Sequence, residues 1–303
     1  MKLKIYLTKL LYNLSIFNRI KWNKTYPEDK KIHIYKNIKY SENYGRKSKL
    51  DIFVAEEASE NQPVIIHIHG GGWTVGDKKD VLGYCRYLAT KGYTTVAINY
   101  NLAPKTAHPD QEQNVLEAIK WIYENIEKYK GDAKNIILSG DSGGAYLAAV
   151  VATVCTNETY AKLYDLVRPE YADFIKGMIL FYGVYDFRTA VHSEFPLLDI
   201  SYNAFLGTVD VDNNMDLMNE ASVIDYITEN FPKSIVISSE IDPLHNSQSV
   251  GFVKKAKQIG INVTDVFFDQ TYTDAQHGFL YDYKRTCTKE SMSSILKFLE
   301  NNE

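Results

Sequence analysis

Gly140-Asp141-Ser142-Gly143-Gly144 sets a serine among glycines, directly after the apolar run Asn135-Ile136-Ile137-Leu138-Ser139 and directly before an apolar helical run. A serine on a sharp strand-to-helix turn has its hydroxyl lifted above the sheet edge. Small neighbours tolerate the strained backbone, and the helix N-terminus behind it favours negative charge. Such a hydroxyl suits nucleophilic attack, which needs a base and a carboxylate to orient that base. A second pattern, His69-Gly70-Gly71-Gly72-Trp73, follows the β-branched run that starts at Val64. Consecutive glycines leave backbone N–H groups unobstructed, as binding an oxyanion requires. A phosphate cradle would be followed by a Lys-Ser or Lys-Thr pair, and none follows. His67 and His69 on one strand face raise the alternative of a metal pair, but no third and fourth ligand stands at motif spacing.

G-x-S-x-G between a strand and a helix resembles the nucleophile elbow of α/β-hydrolases. Two histidines compete for the role of base. His277 lies in Ala275-Gln276-His277-Gly278-Phe279, after the last strand-like run. His245 ends Glu240-Ile241-Asp242-Pro243-Leu244-His245, after the run before it. Both sit where functional loops gather, at the carboxyl ends of strands. The chain order serine, acid, histidine favours His277 as base, with Asp242 as its acid. Glu240 is too near its strand end, while Asp269 and Asp274 share the loop of the histidine.

These residues must be positioned by the elements around them. Strands are expected at Ile32 to Tyr40, Lys49 to Val54, Val64 to His69, Thr94 to Asn99, Asn135 to Ser139, Gly177 to Tyr182, Ser234 to Ser239 and Val263 to Phe268. Helices are expected at Lys79 to Lys91, Asp110 to Lys128, from about Gly143, at Ser247 to Ile259 and at Thr288 to Asn301. Strands alternating with helices imply a mostly parallel sheet covered on both faces. Between Asp186 and Glu220 the alternation breaks. A structureless stretch of about 35 residues is uncommon inside a compact domain. It is expected to be an insertion with short helices of its own, forming a cap together with residues 1–30. The whole of residues 1–303 is expected to form one domain.

The chain has 303 residues, with 45% hydrophobic and 24% charged residues and a net charge of −4. That balance gives no basic footprint for nucleic acid. The longest clearly apolar stretch, Ala145 to Cys155, is too short to span a bilayer. Cys85, Cys155 and Cys287 form no CxxC pair, which argues against a disulfide framework or a zinc site and fits a reducing compartment. Met1 to Ile20 mixes Lys2, Lys4, Lys9 and Arg19 with apolar residues and reads as a basic amphipathic helix packed on the body, not as a secretion signal. A cytoplasmic protein without stable membrane insertion is the expectation.

Together, His69-Gly70-Gly71-Gly72, Gly140-Asp141-Ser142-Gly143-Gly144, Asp242-Pro243-Leu244 and His277-Gly278-Phe279 resemble the hormone-sensitive-lipase-like family of α/β-hydrolase esterases. Tyr100-Asn101-Leu102-Ala103-Pro104 is similar to that family's Y-R-L-A-P segment. The resemblance runs from about Pro63 to the C-terminus, in order. It implies the α/β-hydrolase fold, a mostly parallel central sheet with helices on both faces and a helical cap. It implies Ser142 as nucleophile, His277 as base and Asp242 as its partner, with Gly71, Gly72 and Gly143 as oxyanion donors and no cofactor or metal. Three positions depart from the pattern: Asn101 and His245 stand where arginine is usual, and Gly143 where alanine is usual. The implied activity is hydrolysis of short- to medium-chain acyl esters of small molecules through an acyl-enzyme. An amide hydrolase of formamidase or peptidase type could use the same triad. A binding protein on this fold would have no need of a base and acid.

Overall fold

The computed structural model describes residues 21–211 and 213–300. Eight strands make one sheet: β1 (Ile32–Lys39), β2 (Lys49–Ala55), β3 (Gln62–Ile68), β4 (Thr94–Ile98), β5 (Gly131–Asp141), β6 (Ile175–Phe181), β7 (Ser234–Ser239) and β8 (Val263–Phe268). Their order is β1-β2-β4-β3-β5-β6-β7-β8. β1, β2 and β4 pair antiparallel, and every pair from β4 to β8 is parallel. With serine, acid and histidine at the carboxyl ends of β5, β7 and β8, this is the α/β-hydrolase fold that the motifs implied.

The central strands β3 and β4 are apolar and buried on both faces, as a covered parallel sheet requires. β1, at the edge, alternates half-buried and exposed residues and carries Lys36 and Lys39, charges that discourage further strand pairing. One face is covered by α1 (Leu82–Thr90) and the C-terminal helix Thr286–Glu300. The other is covered by α2 (Asp110–Asn125) and α3 (Gly143–Thr156). α3 is buried from Gly143 to Cys155, so the longest apolar stretch is a core helix. No helix among the described residues is long and apolar enough to cross a membrane.

The expected strands and long helices appear within a few residues of their expected ends, with two instructive differences. The first turn of the expected helix at Lys79 is a 3₁₀ turn, Lys78–Val81, because Asp77 and Asp80 close a reciprocal capping box there. α4 (Glu158–Leu163), capped by Asn157, was hidden in a polar stretch with no apolar period.

Between β6 and β7 the chain forms α5 (Phe187–Ala190), α6 (Leu198–Phe205) and α7 (Met215–Ala221). These sit on the α2–α3 face, and their buried side chains join its core. Residues 1–20 of the expected N-terminal helix lie outside the described residues. Asn23 and Tyr26 pack instead on the α1 face, where the Asn23 side chain accepts from Gly83 N (2.8 Å) and Tyr26 OH donates to Leu280 O.

His108 ties the insertion to the body. Its Nδ1 lies 2.6 Å from Glu112 of α2 and its Nε2 3.4 Å from Glu220 of α7. Burial opposes the charged imidazole, but the two carboxylates outweigh burial and raise its pKa from 6.5 to about 10. A raised folded-state pKa stabilises fully below the unfolded value and is lost as pH rises through the folded one. The gap in melting temperature between the wild type and His108→Asn should therefore be widest below pH 6.5 and close by pH 10. A gap constant across that window in thermal denaturation would refute the assignment.

Candidate active site

β5 ends at Asp141, and Ser142 takes φ 53° and ψ −122° before α3 begins. A non-glycine residue there is strained. The strain is held by hydrogen bonds: Ser142 N donates to Phe181 O of β6 (2.9 Å), and Ser142 O accepts from Ala145 N (3.0 Å). The flanking glycines are obligatory. A Cβ on Gly140 would lie 2.4 Å from Gly144 O, and one on Gly144 would lie 2.0 Å from Ile68 O.

The three expected catalytic side chains meet. Ser142 Oγ is 3.0 Å from His277 Nε2, and His277 Nδ1 is 2.7 Å from Asp242 Oδ2. With Nδ1–H donating to Asp242, Nε2 is left to accept from the serine hydroxyl. Asp242 is fixed in turn, as its Oδ1 accepts from Leu244 N (3.0 Å). The imidazole sits between the rings of Tyr182 and Phe195, each 4.6 Å away. Gly71 and Gly72 line the same cavity as Ser142 and His277, and Gly143 opens α3 immediately after the serine. Gly71 has φ 122° and its Cβ position is occupied by Val75 O at 2.3 Å, so no other residue fits that turn.

The competing residues are engaged elsewhere. His245 is buried, pairs with Ser238 Oγ (3.0 Å) and meets Phe267 edge-on. Burial holds its pKa low despite Asp242 and Glu240 nearby. Asp269 accepts from Thr271 N (2.9 Å) in a local turn and Asp274 from Thr286 N (2.8 Å) at the start of the C-terminal helix, while Glu240 is exposed. Asn101, where arginine is usual, donates its side-chain amide to Tyr44 O. The cysteines are buried and free; burial pushes Cys155 and Cys287 up to about 12, so neither thiol competes as nucleophile.

One buried network was not anticipated. Asp141 Oδ1 accepts from Gly70 N (2.9 Å) and lies 3.2 Å from His67 Nε2, while its Oδ2 accepts from Tyr281 OH. His67 Nδ1 reaches Ser139 Oγ (2.8 Å), which also meets Tyr84 OH (3.0 Å). His67 thus braces β3 against the end of β5. His69 is stacked on Tyr100 (4.5 Å), and burial lowers its pKa to about 4. Among the described residues, no group of three or more His, Cys, Asp or Glu is placed to hold a metal ion. The available sequence signal was a carboxylate in the variable position of G-x-S-x-G, at the end of an otherwise apolar strand.

With this geometry in place, comparison with known proteins is direct. Residues 50–256 match the BD-FAE family model. The chain belongs to the BD-FAE family. Relatives of this BD-FAE member include the probable carboxylic ester hydrolase LipM of Mycobacterium tuberculosis (strain ATCC 25618 / H37Rv), 28% identical over 219 residues that cover 72% of this chain and 49% of LipM. The carboxylesterase NlhH of Mycobacterium tuberculosis (strain CDC 1551 / Oshkosh) is 28% identical over 200 residues, covering 62% of this chain and 58% of NlhH. The chain spans about half the length of the curated relatives it matches. Among solved structures, esterase B from Lactobacillus rhamnosis superposes with a TM-score of 0.86 at 19% identity, over 99% of this chain and 95% of that one. The Pyrobaculum calidifontis esterase gives 0.69 at 21% identity, over 98% and 92%. These likenesses confirm the fold, and the named relatives uphold the resemblance drawn from the motifs.

The crossing of Gly144 over β3 yields a stability test. In Gly144→Ala the new methyl meets backbone, which cannot rotate away. Chemical denaturation should show a loss of about 1–3 kcal/mol or more; an unchanged midpoint would mean that the elbow and β3 are not in contact.

Proposed function

We propose that this protein is a serine carboxylesterase that hydrolyses short- to medium-chain acyl esters of small molecules through an acyl-enzyme. The observation that carries this is the continuous hydrogen-bonded path from Ser142 through His277 to Asp242 beside a cavity lined by Gly71 and Gly72. No cofactor is required by this chemistry.

Ser142 Oγ attacks the ester carbonyl carbon as His277 Nε2 takes its proton. The carbonyl oxygen becomes an oxyanion, received by the N–H groups of Gly71, Gly72 and Gly143. Asp242 steadies the imidazolium without taking its proton. His277 then protonates the departing alkoxide, leaving Ser142 acylated. Water enters, gives a proton to His277 and attacks the acyl carbon. The collapse of that second intermediate returns the proton to Ser142 and frees the acid. Removing one oxyanion donor from such a site costs roughly 10²–10³ in kcat.

The insertion between β6 and β7 acts as a cap on the acyl side. Phe195 and Leu198 from it reach the cavity, and Phe195 packs against the base.

A fluorophosphonate should label Ser142 stoichiometrically, and Ser142→Ala should fold but lose ester hydrolysis. His277→Ala should abolish turnover, whereas His245→Ala should lower it only modestly. Asp242→Asn should cost about 10⁴-fold in kcat by disturbing the imidazole tautomer. Chromogenic acyl esters assayed beside the matching aryl amides read these outcomes. Hydrolysis of the amides in preference to the esters would replace the esterase reading with an amidase one, and full activity in Ser142→Ala would end both.

A further inference from the structure

Where β6 ends at Phe181 the chain leaves the sheet, and residues 182–186 run beside the catalytic base before α5 begins. Tyr182, at φ 35°, packs its ring against the imidazole of His277 at 4.6 Å and meets Phe279 edge-on at 5.1 Å. Its N–H donates to Ile237 O of β7 (2.8 Å). Past that bond the segment is off the sheet, and Tyr185 N and Asp186 N both donate to one atom, Gln248 Oε1, at 2.8 and 3.0 Å. The other end of the same amide donates to Asp186 O (3.1 Å) and to Thr189 Oγ1 (2.8 Å). Gln248 is fully buried. Its orientation is forced, because two backbone N–H groups can meet only the amide oxygen.

Gln248 comes from the turn that carries the acid. Asp242 Oδ1 accepts from Leu244 N (3.0 Å) and Asp242 O accepts from His245 N (2.9 Å). A π-helical turn, His245–Val250, follows at once, and Gln248 N donates to Leu244 O (2.9 Å). Such turns are rare and recur at functional positions. One short stretch thus ties the carboxylate that orients the base to the amide that holds the segment beside it. Tyr185 braces that segment as well, packing at 4.3 Å on Phe252 of α8 (Gly251–Gln258).

We propose that Gln248 is a positioning residue for catalysis: its buried amide locks residues 182–186 to the turn of Asp242, so that Tyr182 keeps the His277 ring aimed at Ser142. This rests on the esterase reading above and adds a residue to it.

The bond to Asp242 fixes one nitrogen of the imidazole but leaves the ring free to rock about it. A buried ring packed alongside limits that freedom, and Nε2 must stay within hydrogen-bond reach of Ser142 Oγ, 3.0 Å away. Phe195, on the insertion, is only half-buried, whereas Tyr182 is fully buried and so makes the firmer wall. An apolar side chain at position 248 would strand two buried N–H groups, and the segment would have to shift to satisfy them.

Gln248→Met keeps the bulk of the side chain and removes these bonds. It is assayed on p-nitrophenyl acetate, with active sites counted by fluorophosphonate titration. Misplacement of a catalytic group is felt in rate, so kcat per titrated site should fall roughly tenfold or more. KM should rise no more than about threefold, since Gly71, Gly72, Trp73 and Leu198 still line the cavity. Tyr182→Leu should lower kcat in the same way. Because Gln248 acts through Tyr182, the double variant should lose no more than about threefold beyond the larger single loss. An unchanged kcat per site in folded Gln248→Met, a loss carried by KM alone, or losses that multiply in the double variant would each overturn the proposal while leaving the esterase reading intact. Should Gln248→Met not fold, hydrogen exchange of the wild type and the kinetics of Tyr182→Leu decide. The Tyr185 and Asp186 amides should be protected as strongly as that of Ile179 in β6, and Tyr182→Leu should show the loss in kcat; amides that exchange like an open loop, or an unchanged kcat, would overturn the proposal. A wild type that neither hydrolyses the ester nor reacts with the fluorophosphonate would overturn both readings.

Discussion

Asp141 carries its carboxyl group into a nearly waterless setting, 1% exposed, directly before the nucleophile. A group so placed is tolerated only when surrounding donors satisfy it. Its partners come from segments distant in sequence: Gly70 N of the glycine loop, His67 of β3, and Tyr281 beyond the histidine loop. Buried hydrogen bonds in so dry a setting are costly to leave unmade, so each partner is held where it stands. One side chain thus fastens the glycine loop and the segment bearing His277 to the strand end that bears Ser142. The requirement that Gly70 lack a side chain has the same origin, since a Cβ there would lie 2.4 Å from Asp141 Oδ2. Loosening this carboxylate would let the loop and the base drift independently of the nucleophile.

A second layer of constraint runs outward from Trp73. Ala103 and Gln111 hold its backbone, while α5 and α6 supply rings that hold its indole. The insertion is therefore more than a cover. It shares one packed cluster with the residue that follows the glycine loop, and the His108–Glu112–Glu220 group anchors it from the far side. Both layers are built of buried contacts with fixed geometry, which is what a site needs when misplacement by an ångström costs rate.

The parts legible in the sequence were those with local causes. Val64-Ile65-Ile66 reads as a buried strand because β-branched residues fit a pleated surface. The elbow reads as such because Gly140 and Gly144 are forced by backbone approaches that the motif already encodes. Ser142, His277 and Asp242 each follow a recognisable strand, so their meeting follows from sheet order. What stayed hidden has long-range causes. Nothing near His67 in sequence points to Ser139 and Asp141 as its partners, so it resembled half of a metal pair. Trp73 looked like the end of a glycine motif because the rings around it come from residues 146, 187, 202 and 205. Nothing near Tyr281 or Tyr84 in sequence signals that their hydroxyls serve the buried network.

The two layers differ in what they can change. The elbow, the glycine loop and the base are joined through the sheet, by Gly144 crossing Ile68 and by Asp141 gripping Gly70. None of those contacts involves the insertion. The cavity beside Ser142 is different, being lined both by Trp73 of the loop after β3 and by Phe195 and Leu198 of the insertion. The two sets of contacts meet at Trp73, which packs against Gly143, and at Phe195, which packs against His277. Sequence change at Phe195 therefore touches both the cavity wall and the imidazole of His277. A change at Trp73 is felt on both sides, because the same indole lines the cavity and packs against Gly143. That coupling explains why a glycine, the least restrained of residues, can stand after the nucleophile here: the rigidity a side chain would have supplied from within α3 is supplied from outside by the ring packed against it.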